Sequence, residues 1–143
     1  PIRRSRWRRQ RRDRVRQADM TVALWCLFVA CLLPVVCAGV AKSGFENFDN
    51  RRPRDWLAKQ QGWRARAHAA QQNSWEALLV FAAGVLSAHL AQAPQDWVHL
   101  VALVFVAARL LYIALYVTDR STARSLVWAV GFLASLSLFW LAV

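Results

Sequence analysis

Long uncharged apolar stretches alternate with short polar connections along most of this chain. Residues 21–41, 77–95 and 125–143 contain no Asp, Glu, Lys or Arg, and residues 97–118 contain a single charge, Arg109. Each stretch reaches or nearly reaches the ~20 residues an α-helix needs to cross ~30 Å of hydrocarbon. The pattern predicts helices over 20–41, 63–91, 95–117 and 122–143. The fold class that follows is all-α, an integral membrane four-helix bundle. Pro34 falls near the middle of the first helix. Membrane helices tolerate proline because neighbours re-satisfy the freed carbonyl, and a bend is expected there. Pro94 and Asp96 mark a tight turn between helices two and three, and TDRSTAR marks another between helices three and four. Connections this short join antiparallel neighbours, which gives an up-down topology.

Two spans carry charges inside their apolar stretches. Glu76 lies in AQQNSWEALLVF and Arg109 in FVAARLLYIALY. An ion in hydrocarbon costs roughly 2.5–3.5 kcal/mol even on lenient insertion scales, so such residues face the bundle interior or a polar cavity and mark functional sites. At about 100° per residue, Arg66 and Asn73 lie about 20° apart on helix two, with Glu76 about 60° further round. One stripe therefore carries a cation, an amide and a carboxylate. Arg109, Tyr112 and Tyr116 follow i, i+3, i+7 spacing and share a face of helix three. Counted inward from the turn at 92–96, Glu76 and Arg109 lie within about one helical turn in depth. They are expected to pair or to share a polar network, since an unpaired ion there is costly. Tyrosines are common at membrane surfaces, but alignment with Arg109 places Tyr112 and Tyr116 on the interior side. Arg124 opens helix four. The ordinary reading is a snorkelling anchor; a cation at a helix N-terminus opposes the macrodipole, which points to a specific role.

Composition agrees with a membrane protein. The chain is 57% hydrophobic with mean hydropathy +0.23, more apolar than a soluble domain, and few residues remain for a separate domain. The formal charge of +11 is concentrated in residues 1–19, which hold nine Arg and two Asp. Lys and Arg favour cytoplasmic loops. Residues 42–66 hold seven basic residues, 92–96 none and 118–124 two. Loops one and three are thus expected in the cytoplasm and both termini outside. An Arg-rich tail outside conflicts with that rule, so residues 1–19 are expected to be a disordered tail upstream of a native start at Met20. The alternative is a genuine tail that binds anionic lipid or nucleic acid. The cluster Arg51, Arg52 and Arg54 reads first as a topology anchor on anionic lipid, and more sharply as a ring attracting an anionic substrate. No cleavable signal is evident. Cys26, Cys31 and Cys37 show neither CxxC nor zinc spacing and read as small buried apolar residues. His68, His89 and His99 are too scattered for a metal site, and no metal is expected.

The segment DNRRPRDWLAKQQGWRARAHAAQQNSWEALLVF resembles the bacterial branch of the MAPEG family, membrane-associated proteins of eicosanoid and glutathione metabolism. The family's N-x-x-E on helix two is matched by Asn73 and Glu76, with Phe81 at the expected aromatic. Its R-x-x-Y-x-x-x-Y on helix three is matched by Arg109, Tyr112 and Tyr116, and its arginine opening helix four by Arg124, followed by Ser125. The resemblance covers residues 20–143. It departs at Ala69, where many eukaryotic members carry an arginine; Arg66, one turn earlier, is the residue expected to compensate.

The resemblance implies a left-handed four-helix bundle assembled as a homotrimer in the bacterial inner membrane. It implies glutathione as co-substrate, bent between adjacent subunits near the cytoplasmic face. Asn73, Glu76, Arg109, Tyr112 and Tyr116 would hold the tripeptide, with Arg66 and Gln71 as further contacts. Arg124 would stabilise the thiolate as the catalytic residue. The implied activity is a glutathione transferase or peroxidase acting on hydrophobic electrophiles or lipid hydroperoxides. Lipid and a hydrophobic small molecule are then the partners, and nucleic acid is not. Two alternatives remain: a non-catalytic lipid-binding scaffold of the same fold, and a small proton-coupled exporter with Glu76 as the titrating carboxylate.

Overall fold

A computed structural model describes residues 20–143. The Arg-rich stretch 1–19, with the expectation attached to it, lies outside the described residues. Five helices follow in order: α1 Val22–Lys42, α2 Pro53–Ala58, α3 Gly62–Leu90, α4 Gln95–Val117 and α5 Ser121–Leu141. The four long helices fall within two residues of the expected boundaries. The short α2 lies in the first connection, where the sequence pattern predicts no helix. Pro53 at its first position supplies the preset φ that starts a helix, and burial of Trp56 and Leu57 beside Ala41 and Ala67 holds it down.

Helix α1 begins where Thr21 Oγ1 accepts from Leu24 N at 3.2 Å, satisfying one of the orphan donors of a first turn. Lys42 in the last turn complements the macrodipole. The helix runs unbroken through the buried Pro34. Its buried stripe is Ala23, Cys26, Ala30, Leu33, Pro34, Cys37 and Ala41, spaced by three or four residues except at the adjacent Leu33 and Pro34. These side chains are mostly small, so α1 and α3 approach closely. The opposite face exposes Trp25, Phe28, Leu32, Val35 and Val36. An exposed face this apolar is built for lipid rather than water. Cys26 and Cys37 are buried as expected, but Cys31 is exposed. Five residues turn it about 140° from Cys26, onto the outer face.

Helix α3 packs against each of the other four; the most extensive packings are α1 on α3 and α4 on α5. Its buried positions Ala67, Ala70, Ser74, Phe81, Gly84, Val85 and Ala88 also follow a seven-residue repeat. The Phe81 and Phe105 rings stack at 3.8 Å and 9° where α3 meets α4. Gly84 sets the approach of α3 to α5: a Cβ built there would lie 2.9 Å from Ser135 O and 3.0 Å from Leu138 Cβ. One obstacle is backbone and cannot swing away. Gly84→Ala is therefore expected to destabilise the bundle by about 1–3 kcal/mol, as overpacking does, read as a lower melting temperature in detergent. Gly131→Ala, where the nearest atom to a new Cβ is 3.6 Å away, is the matched control and should leave that temperature nearly unchanged.

Both tight turns end their helices with the same device. Gln92 (φ 54°) and Asp119 (φ 63°) adopt left-handed backbone. Behind them, Ala93 N donates to Ala88 O at 3.0 Å, and Arg120 N donates to Leu115 O at 2.8 Å. This is the Schellman arrangement, which satisfies the last carbonyls of a helix and reverses the chain within a few residues.

Three helices, α1, α4 and α5, are long and apolar enough to cross a membrane. Helix α3 is the longest at 29 residues, but its first half, RARAHAAQQNSWE, is polar. Across the described residues the protein is all-helical and membrane-integral, and its longest helix is apolar along only part of its length.

Candidate functional site

The polar half of α3 faces the middle of α4, and a chain of hydrogen bonds forms between them. Arg109 is 3% exposed. Its Nη1 donates to Asn73 Oδ1 at 2.9 Å and its Nη2 to Ser74 Oγ at 3.2 Å. Asn73 Nδ2 in turn donates to Glu76 Oε2 at 3.2 Å. Glu76 and Arg109 thus share a network rather than a direct ion pair; among the described residues the one ion pair is Arg64–Glu46, at 3.8 Å. The amide of Asn73 is oriented by its neighbours, with its oxygen on the cation and its NH2 on the carboxylate. Each half of that dipole meets the charge that favours it. Ser74 Oγ donates to Ala70 O at 2.7 Å, which leaves its lone pairs for Arg109.

Aromatic rings continue the site along α4. The Arg109 guanidinium lies 4.0 Å from the Tyr112 ring centroid, Tyr112 meets Tyr116 edge-on at 5.6 Å, and the Arg124 guanidinium lies 4.2 Å from the Tyr116 ring. Cation, ring, ring and cation form a ladder from the bundle interior to the start of α5. Each cation sits over the electron-rich face of a tyrosine, the arrangement a ring quadrupole favours. Tyr112 is buried at 4% exposure and packs with Cys37 and Ala70, so the interior reading of that tyrosine holds; Tyr116 is half-buried. Arg124 has no carboxylate partner among the described residues.

Two predicted contacts point elsewhere. Arg66 Nε donates to Val117 O at 3.1 Å, satisfying a terminal carbonyl of α4 as basic side chains do at helix C-termini. Gln71 Oε1 lies 3.4 Å from His68 Nδ1 and makes no hydrogen bond to the Arg109 network. The structure also adds residues that the sequence reading missed. Ser74 is one; its signal was its place on the buried seven-residue repeat of α3, next to Asn73. The others form the wall from α5. A pocket of ≈ 130 Å³ is bounded by Asn73, Glu76 and Arg109 at its polar end and by Phe105, Trp128, Gly131 and Phe132 at its apolar end. Trp128 and Phe132 stack at 5.2 Å and 7°, one helical turn apart. Nothing in the apolar composition of α5 singles them out.

Glu76 is exposed, as are Gln72 and Trp75. The carboxylate is bonded to Asn73 yet faces out of the single chain. Among the described residues, no three His, Cys, Asp or Glu side chains meet as metal ligands. What the arrangement offers is two cations, an amide, a carboxylate and two phenols, next to an apolar recess. That set can hold a small polyanionic or zwitterionic molecule and bring it against an apolar one.

The model of the MAPEG family matches residues 22–143. The chain belongs to the MAPEG family. No curated protein and no solved structure matches it. The matched range takes in all four long helices and every residue of the ladder. MAPEG membership places the protein among membrane proteins of eicosanoid and glutathione metabolism.

Proposed function

We propose that this MAPEG protein is a membrane glutathione transferase or peroxidase. The observation that carries the reading is the relay from the buried Arg109 through Asn73 to Glu76, continued by Tyr112, Tyr116 and Arg124. The cations and phenols suit the carboxylates of glutathione, and Glu76 suits its ammonium group. Arg124 lies at the end of the ladder, where a cation favours the thiolate over the thiol. Free thiols titrate near ~8.5 and a nearby positive charge lowers that value. The thiolate sulfur then attacks an electrophilic carbon of a lipid-soluble substrate and displaces its leaving group. With a hydroperoxide, the thiolate attacks the terminal oxygen, the O–O bond breaks and the protonated alcohol leaves; a second glutathione then converts the sulfenic acid to the disulfide and releases water. Arg66 and Gln71 are second contacts, within reach only through rearrangement of the bonds they now make.

The site is completed by other copies of the chain. A pocket of ≈ 130 Å³ falls below the ~300 Å³ at which ligand sites begin. A carboxylate facing out of a membrane helix needs cover from protein or water rather than acyl chains. A left-handed up-down bundle arranged as a homotrimer supplies that cover, with glutathione between neighbouring subunits. Loops one and three lie on the cytoplasmic side of an inner membrane and the termini outside. The exporter alternative, with Glu76 as its titrating carboxylate, gains no support from α1, which runs unbroken through Pro34.

Purified protein in detergent is expected to bind glutathione by calorimetry and to conjugate it to a chlorinated nitrobenzene. Glu76→Gln should weaken binding about 10–100-fold, the worth of a hydrogen bond to a charged group. Binding without turnover would assign the lipid-binding scaffold instead, and no binding would remove the proposal.

A further inference from the structure

The connection between α1 and α3 is a folded, packed platform with unpaired cations on its surface. Trp56 and Leu57 are buried at 8% and 7% exposure, Trp56 Nε1 donates to Glu46 O at 3.2 Å, and Arg64 Nη1 donates to Ala41 O at 2.9 Å. Phe48 packs edge-on against Trp56 at 5.2 Å and Phe45 against Phe48 at 5.7 Å. This aromatic row runs from the buried Trp56 outward to Phe45, which is 67% exposed. Trp63, at the start of α3, is 40% exposed. Arg51, Arg52, Arg54 and Lys59 are all exposed, and none is in an ion pair among the described residues. The nearby acids are partly engaged: Glu46 pairs with Arg64, and Asp49 Oδ1 accepts from Arg51 N at 2.8 Å.

The level of this platform follows from helix length. The 29 residues of α3 rise about 44 Å, against ~30 Å of hydrocarbon. Its first turns, and the platform joined to them, therefore stand among the headgroups, where exposed aromatic rings favour the interface. We propose that Arg51, Arg52, Arg54 and Lys59, with Phe45 and Trp63 inserted beside them, form a docking surface for anionic phospholipid headgroups of the adjoining leaflet. None of the four cations pairs with Asp49 or Asp55, so their charge is available to anionic lipid. The surface is separate from the Arg109 ladder and does not depend on what that site binds.

The test uses the full chain in phosphatidylcholine bilayers. Electron paramagnetic resonance reads the relative association of spin-labelled phosphatidylglycerol and spin-labelled phosphatidylcholine. A chain carrying Arg51→Gln, Arg52→Gln, Arg54→Gln and Lys59→Gln should show at least about fivefold less preference for the anionic lipid, the equivalent of one surface Lys or Arg. Comparing the two chains removes any contribution from residues 1–19. In ~1 M salt, where the screening length falls to ~3 Å, the wild-type preference should collapse. Should the fourfold variant not fold, Arg51→Gln with Arg54→Gln should still lower the preference, while Arg51→Lys with Arg54→Lys keeps the charge and should keep it. Equal association of both lipids with wild type, or undiminished preference in the Gln variant, overturns the proposal and leaves the patch to a soluble acidic partner.

Discussion

Arg109→Ala is expected to cost about 2–4 kcal/mol of stability, because two acceptors lose a charged donor. The loss is read by denaturant unfolding in mixed micelles, with a parallel loss of glutathione binding. Several effects add. Asn73 Oδ1 and Ser74 Oγ lose their donors at 2.9 and 3.2 Å, and an unsatisfied buried acceptor costs about 1–3 kcal/mol. Tyr112 loses the guanidinium 4.0 Å from its ring. Glu76 keeps the Asn73 amide but loses the positive charge behind it. Arg109→Lys is expected to fall between, because a point charge with no planar fork cannot serve Asn73 and Ser74 in the same geometry. Combining Arg109→Ala with Glu76→Gln should cost less than the two losses summed, since residues of one network couple. Strict additivity would mean that the relay through Asn73 carries no energy.

The periodic parts of this fold are legible because lipid-facing helices leave a plain mark. Uncharged stretches of about 20 residues set the helices, and Pro94, the residues around 118–124 and the basic first loop set their connections. The Arg109–Glu76 relation is legible for another reason: an ion inside a span has few ways to avoid its desolvation cost, so two of opposite sign at similar depth predict one another. The intermediary was harder. Asn73 stands between them because its amide can face a cation and an anion at once, and depth counting says nothing about which residue fills the gap.

Arg66 shows where helical angle alone misleads. It lies about 20° from Asn73 on the wheel, but it is nearly two turns away along the axis, and its guanidinium reaches the last carbonyls of α4 instead. A wheel projects out the axial coordinate that decides which helix end a long side chain meets. The α5 wall of the pocket was invisible for a different reason. Trp128 and Phe132 line the pocket yet are themselves 40% and 38% exposed, in a helix that also exposes Leu126, Val130, Leu133 and Leu136. When lipid-facing and core-facing residues are equally apolar, the amphipathic signal that orients a soluble helix disappears. Helix α2 escaped because six residues with two buried side chains give too short a pattern to read.

Arg124→Ala is expected to lower turnover about 10²–10³-fold, the size of effect seen when one donor to a developing negative charge is removed, while glutathione affinity changes little. Arg124 stands over Tyr116 at 4.2 Å, held by the ring rather than by a carboxylate that would neutralise it. A cation presented that way keeps its full field for a thiolate. The pH profile separates this role from a packing role. In wild type the cation holds the bound thiol below its free value of ~8.5, so kcat stays level through neutral pH and falls only where that lowered value is crossed. In the alanine variant the thiol returns towards ~8.5, so the rate should fall about tenfold per pH unit below it and recover as pH rises through it. Tyr116→Phe keeps the stacking surface and should behave as wild type in this respect; Tyr116→Ala releases the guanidinium and should share part of the Arg124→Ala profile. A variant in which binding and turnover fall together at every pH would instead make Arg124 a substrate anchor, and the thiolate would need another source of positive charge, with Arg109 the nearest along the ladder.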